Sequence, residues 1–247
     1  MEKIITFIKQ IQYNNRKMKL SVLSSSLVFY LILAIIPFIQ IIEYVLNKTK
    51  LLNNMVFYPS MFYTIFLIVY LIWISSKFLH IIHQISDIIY YNIEERSHFK
   101  VRIKSFIYMI IILLITLMLI VFTIYLSYVK NNIQANIIFI IEITQVFIPI
   151  IWIILLFMFL YKKIIPVKIK WSQTIRVGSI TGLLIYISIR LYEQIVEVYL
   201  KNKYLTVYGR YASLVSLLVW LYFSCYIFLS GMAYLFIKNT YKNNKLA

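Results

Sequence analysis

The sequence predicts an all-α, polytopic membrane protein with six transmembrane helices and both termini in the cytoplasm. Three observations lead there. Of the 247 residues, 62% are hydrophobic and only 13% are charged, whereas a soluble domain is about 45–50% apolar and about 25% charged. Six runs are apolar enough, at about 20 residues each, to cross the ~30 Å hydrocarbon layer as helices. Finally, 25 Lys and Arg against 8 Asp and Glu give a formal charge of +17, and the basic residues are gathered in alternate loops, as the positive-inside rule requires. This composition excludes a soluble enzyme and a disordered chain alike.

The runs read as one integral membrane domain over residues 1–247, with spans at 20–46, 58–76, 106–129, 136–161, 175–200 and 212–237. The first starts too late and runs too long for a cleaved signal peptide, and it lacks a small-residue cleavage site. The third and sixth contain no charge at all. The fifth is the least apolar because it holds Arg190, Glu193 and Glu197. Eighteen basic residues fall in the N-terminal stretch, the 77–104 and 162–176 loops and the tail, against six in the alternate segments. That split places the termini inside, and an even number of spans agrees with it.

Residues 78–92, FLHIIHQISDIIYYN, have helical periodicity. Phe78, Ile81, Ile82, Ile85, Ile88 and Ile89 fall within an arc of about 120°. They predict a cytoplasmic amphipathic helix, either continuing the second span or lying on the membrane surface. His80, His83 and Asp87 occupy its polar face. Their spacing of three and seven could in principle serve a metal, but the expected reading is a solvated face with no metal bound. MEKIITFIKQIQ at the start is a shorter amphipathic stretch. Basic residues beside both predict contact with anionic lipid at the cytoplasmic face.

Ionisable groups at membrane depth are costly and mark candidate sites. Glu43, Glu142, Glu193 and Glu197 qualify, together with Arg190. All four carboxylates fall toward the outer ends of their spans, and Arg190 lies a few Å beyond the middle of its own. On the fifth helix Gly178, Gly182, Tyr186, Arg190, Glu193 and Glu197 share an arc of about 120°. Gly178 and Gly182 form a G-x-x-x-G that lets another helix approach closely. One face therefore packs tightly at the cytoplasmic end and is polar at the outer end. Arg190 and Glu193, three apart, can pair. Two readings follow: a neutralised pair that locks the bundle, or an outward-facing polar cavity in which Arg190 meets an anionic group. Pro37 and Pro149 could open two helices beside such a cavity.

The lone cysteine, Cys225, excludes an internal disulfide and a Cys-based zinc site. The sequence contains no H-E-x-x-H, no G-x-S-x-G, no Walker-type loop and no acidic cluster suited to two-metal hydrolysis. No enzymatic activity, cofactor or nucleic-acid partner is expected, and a homo-oligomer is left open.

Several blocks resemble the YihY/virulence factor BrkB family, formerly labelled ribonuclease BN. In the first span SLVFYLILAIIPF ends in Pro37. Trp73, Ser75 and Ser76 precede DIIYYNIEERSHFKVR, which is similar to the family's N-x-I-Y-x-x-E-x-R block, with Tyr90, Glu95 and Arg96 in place and Asp87 where Asn is usual. LYKKIIPVKIKW supplies Tyr161, Pro166 and Trp171, with Gly178 following. VYGRYASLVSLLVWLYFSCYIFLSG supplies Tyr208, Gly209, Trp220, Tyr222 and Gly231. Two departures stand out: Ala233 replaces a Glu that usually follows the closing Gly, and Arg210 replaces a small residue. The resemblance implies a six-span bacterial inner-membrane protein. The expected function is a transporter or exporter of a lipid or amphipathic anion. The alternative is a membrane scaffold or envelope-integrity protein acting through its cytoplasmic segment. A membrane-embedded hydrolase or nuclease is the weakest reading.

Overall fold

The computed structural model describes residues 15–16, 18–48, 61–90, 97–130, 135–197 and 210–243. It is all-helical across them. The helices are α1 (Leu20–Lys48), α2 (Met61–Ile89), α3 (His98–Lys130), α4 (Ala135–Ile164), α5 (Trp171–Ile195) and α6 (Arg210–Asn243). Each is long and apolar enough to cross a membrane. In hydrocarbon a backbone N–H or C=O has no water to bond, so an apolar run of this length closes its hydrogen bonds internally as a helix. Hydroxyls within the helices do the same, donating to the carbonyl one turn back: Ser24 to Leu20, Ser105 to Val101 and Thr116 to Ile112, at 2.7–2.9 Å.

The helices stand in a ring in chain order, each packing on the next, with α6 returning against α1. The contact between α3 and α4 is the thinnest link of the ring, and α2 also touches α4 and α6. The core lies at one end. Leu20 and Leu27 open α1, Ile82 and Ile89 close α2, Ile164 closes α4, and Met232 and Leu235 lie late in α6; all are buried in one cluster. Arg16, Lys19, Lys162, Lys163 and Lys168 lie at or just beyond the same helix ends, so this is the basic end of the bundle. Away from it the helices expose apolar side chains, α3 most of all: Ile107, Ile111, Met118, Val121 and Tyr125 are all exposed. A soluble protein rarely shows so continuous an apolar surface, whereas a bilayer covers it at no cost.

Two features depart from the sequence reading, although residues 78–89 continue the second span as the last turns of α2, one of the two placements that reading offers. First, their buried face is turned from the apolar arc: Leu79, Ile82, His83, Ile85, Ser86 and Ile89 are buried, while Ile88 is 58% exposed. His83, expected on a solvated face, is therefore inside the bundle. The reason is that the neighbours of α2 fix its rotation, and lipid accepts Ile88 as readily as a core would. Second, Lys100, Arg102 and Lys104 ride on the first two turns of α3 and Lys77 lies well within α2, rather than all in a long loop.

The chain enters α1 through a tight turn. Lys19 has φ 50°, a left-handed conformation unusual for a residue with a Cβ, and its N–H donates to the Arg16 carbonyl at 3.0 Å. The turn lets the buried Asn15 reach α6, where its amide donates to the Tyr226 hydroxyl at 3.2 Å and to Ser230 Oγ at 3.1 Å.

Candidate functional site

The charged stripe of α5 changes character along its length. At the basic end Gly178 and Gly182 are buried against α4. A Cβ on Gly182 would lie 2.9 Å from Ile154 Cα, and one on Gly178 would lie 3.0 Å from Met158 Cα. The G-x-x-x-G thus makes the close helix approach its spacing predicts. One turn on, Tyr186 is half-buried, and beyond it Arg190, Glu193 and Glu197 are exposed. The α5 face that packs tightly at one end is open at the other.

Arg190 Nη1 donates to Glu193 Oε2 at 2.9 Å, and Arg190 Nε donates to the Tyr186 hydroxyl at 3.0 Å. The guanidinium also lies 5.3 Å from the Tyr186 ring centre. These bonds use two of the five guanidinium N–H donors. From Ile180 onward the exposed apolar side chains of the same helix, Ile180, Leu183, Leu184, Ile187, Leu191 and Ile195, centre roughly 120° round the axis from Arg190, Glu193 and Glu197. The charged groups therefore point away from the middle of the lipid-facing surface.

The other carboxylates are placed differently. Glu142 on α4 accepts from Lys130 Nζ of α3 at 2.7 Å, and beside it Gln145 donates to Ser127 Oγ at 2.9 Å. These bonds join the ends of α3 and α4 away from the basic end, where the packing is otherwise thin. Glu142 is thus paired with Lys130 rather than with Arg190. Glu43 lies on α1 but its side chain is outside the described residues, as are Glu95, Arg96, Tyr208 and Gly209. Among the described residues no three His, Cys, Asp or Glu side chains are grouped to hold a metal.

At the basic end the structure builds a polar knot from residues the sequence marked only by motif. Tyr161 is fully buried. Its hydroxyl donates to the Phe228 carbonyl at 2.8 Å and shares a hydrogen bond with Thr181 Oγ1 at 3.0 Å, while its ring stacks on Phe228 at 5.3 Å. One turn further along α6, the Tyr90 hydroxyl reaches the Met232 carbonyl at 3.5 Å, with its ring edge-on to Phe236. Burial, reinforced by the nearby Tyr161, pushes the Tyr90 phenol well above its ordinary range, so it remains a neutral donor. Gly231 sits between these contacts, and a Cβ there would strike the Tyr161 hydroxyl and Thr181 Oγ1. Two tyrosines and a glycine thus pin α6 to α2, α4 and α5.

The remaining marked residues are structural in their surroundings. Pro37 is buried within α1. Trp73 is exposed, with the Arg102 guanidinium 5.2 Å from its ring centre. Trp171 carries Lys162 over its ring at 4.9 Å, Pro166 is half-buried in the turn between α4 and α5, and Trp220 stacks on Tyr192 at 5.1 Å. Ala233 is fully buried. Thr181 of the knot, and Asn15 and Ser230 in the separate contact of the N-terminal turn with α6, had no sequence signal of their own. The four-residue spacing of Tyr226, Ser230, Tyr234 and Lys238 could have revealed a polar row on α6.

Comparison with curated proteins and with solved structures finds no match for this chain. The family model described as Virulence factor BrkB matches residues 42–246. That stretch takes in five whole helices and most of the marked residues: the Tyr90, Tyr161 and Gly231 knot, the glycine contact of α5 on α4, and the charged stripe. With this match over most of its length, the chain belongs to the BrkB family of membrane proteins.

Proposed function

We propose that the protein is a transporter or exporter that takes a lipid or another amphipathic anion into a polar cleft along α5, open at the end of the bundle away from its basic residues. In this reading the basic end faces the cytoplasm of a bacterial inner membrane, as Lys and Arg placement favours. The observation that carries it is the gradient along α5: backbone-to-backbone contact with α4 at Gly178 and Gly182, then exposed Arg190 and Glu193 on the same stripe. In this reading the face is closed toward the cytoplasm and accessible toward the opposite side. Arg190 keeps N–H donors beyond those spent on Tyr186 and Glu193 to receive an oxyanion. Glu193, bonded to it, can release it or take up a proton as the anion arrives.

The test is reconstitution in liposomes with two probes: a fluorescent phosphatidylglycerol whose leaflet exchange is read by dithionite quenching, and a fluorescent fatty acid whose efflux is read directly. Wild-type protein accelerates at least one of them, while Arg190→Ala and Glu193→Gln insert normally and abolish the acceleration. Full rates in both variants, or no acceleration by the wild type with either probe, refute the reading. The scaffold alternative has less to support it, because most of the 78–90 segment is turned into the bundle and is not offered to a partner.

A further inference from the structure

A second site lies at the other end of α5, on a different face. Between α5 and α6 there is a groove of about 460 Å³, large enough for a headgroup and part of an acyl chain. Two rows of residues with four-residue spacing line it. On α5 the row is Arg176, Ile180 and Leu184; on α6 it is Tyr226, Ser230, Tyr234 and Lys238. Each row ends in a cation at the basic end. From there the α5 row runs about 12 Å toward the membrane middle, at 1.5 Å per residue.

The chemistry is graded along that length. At the shallow end are the Arg176 guanidinium and the Lys238 ammonium, the latter 5.6 Å from the Tyr234 ring centre. Next come the hydroxyls of Ser230 and Tyr226. Each accepts a hydrogen bond from Asn15, so each keeps its own O–H to donate. Ile180 and Leu184 form the apolar wall; both line the groove and remain 59% and 47% exposed, so the wall opens sideways to the membrane. The floor is rigid, because Gly231 and Thr181 belong to the Tyr161 knot.

We infer that this groove binds one anionic phospholipid of the leaflet at the basic end. Its phosphate lies between Arg176 and Lys238, its headgroup or glycerol oxygens accept from Ser230 and Tyr226, and an acyl chain runs along Ile180 and Leu184. Two cations at headgroup level over a laterally open apolar wall fit an anion that carries a hydrocarbon tail. A free phosphate would use the cations and leave the wall bare. The chain's own N-terminal stretch does not complement the groove, since residues 1–14 carry Lys3 and Lys9 against Glu2 and would bring positive charge to positive charge. The site does not depend on the transport reading: it involves other residues and a binding assay rather than a flux.

The experiment is native mass spectrometry of the full-length protein in detergent, titrated with dioleoyl-phosphatidylglycerol, dioleoyl-phosphatidylcholine or sodium phosphate. The wild type retains phosphatidylglycerol in preference to phosphatidylcholine. Arg176→Gln and Lys238→Gln each weaken it roughly fivefold, and the double variant by roughly 25-fold, with phosphatidylcholine unchanged. The pair Lys77→Gln and Lys104→Gln removes equal charge from α2 and α3, outside the groove, and leaves retention as in the wild type. Leu184→Trp, which fills the wall, weakens phosphatidylglycerol without altering charge. Equal losses in the Lys77/Lys104 control, an unchanged preference in the Arg176/Lys238 double variant, or displacement of the lipid by millimolar phosphate each overturn the assignment. So does a gain in phosphatidylglycerol retention on deleting residues 2–14, which would make that stretch the occupant.

Discussion

Gly182→Ala tests the close backbone approach of α5 to α4. Helices in a bilayer are not driven together by the hydrophobic effect, because lipid is as apolar as their side chains; they associate through packing and hydrogen bonds. At Gly182 an added Cβ would lie 2.9 Å from both Cα and Cγ1 of Ile154 and 3.2 Å from its N. Carbon contacts are most favourable at about 3.5–4.0 Å, so α4 and α5 must part there by about 0.6–1 Å, which forfeits roughly a quarter to a half of each facing pair's attraction. Overpacking of this kind costs about 1–3 kcal/mol, and the better helix propensity of Ala returns about 0.5–1 kcal/mol. The expected net loss is about 0.5–2 kcal/mol. Gly178→Ala should cost a similar amount, because the Met158 backbone Cα and N both lie at 3.0 Å from the added Cβ. Helicity followed by circular dichroism during SDS titration of the protein in mixed micelles measures both. Gly182→Ala as stable as the wild type would show that α4 and α5 do not meet backbone to backbone at Gly182.

Tyr161→Phe keeps the ring stack on Phe228 but removes two buried hydrogen bonds, and should cost about 1–2 kcal/mol in the same titration; no loss would mean the knot is not closed. Tyr90→Phe removes a longer bond and should cost less, about 0.5 kcal/mol, so the order of the two variants is itself a test. Tyr192→Leu breaks the stack on Trp220 and should lower stability by about 1 kcal/mol, accompanied by a change in tryptophan fluorescence; an unchanged spectrum would place Trp220 elsewhere. Glu142→Gln should leave global stability nearly unchanged, because the Lys130 partner is itself substantially exposed. Hydrogen exchange should instead rise at the ends of α3 and α4 away from the basic end, and uniform exchange there would deny that this pair tethers them.

Six apolar helices, the basic ends and the G-x-x-x-G contact are legible in the sequence because each is a local property. Hydropathy sums along the chain, and a glycine pair at spacing four is close-packing by shape alone. The Arg190–Glu193 pair is likewise a matter of three residues on one helix. What the tertiary structure decided is which way each helix faces. His83 is buried and Ile88 exposed although composition favours the reverse, and α3 is apolar all round but joins the core hardly at all. Glu142 bonds to Lys130, whose partnership depends on how α3 meets α4. The knot of Tyr90, Tyr161, Thr181 and Gly231, and the groove from Arg176 to Lys238, join residues tens to more than a hundred positions apart. In water a polar face marks the outside of a helix, and the inside follows. Lipid and protein interior are equally apolar, so that cue is erased, and only the packing of neighbouring helices assigns each face.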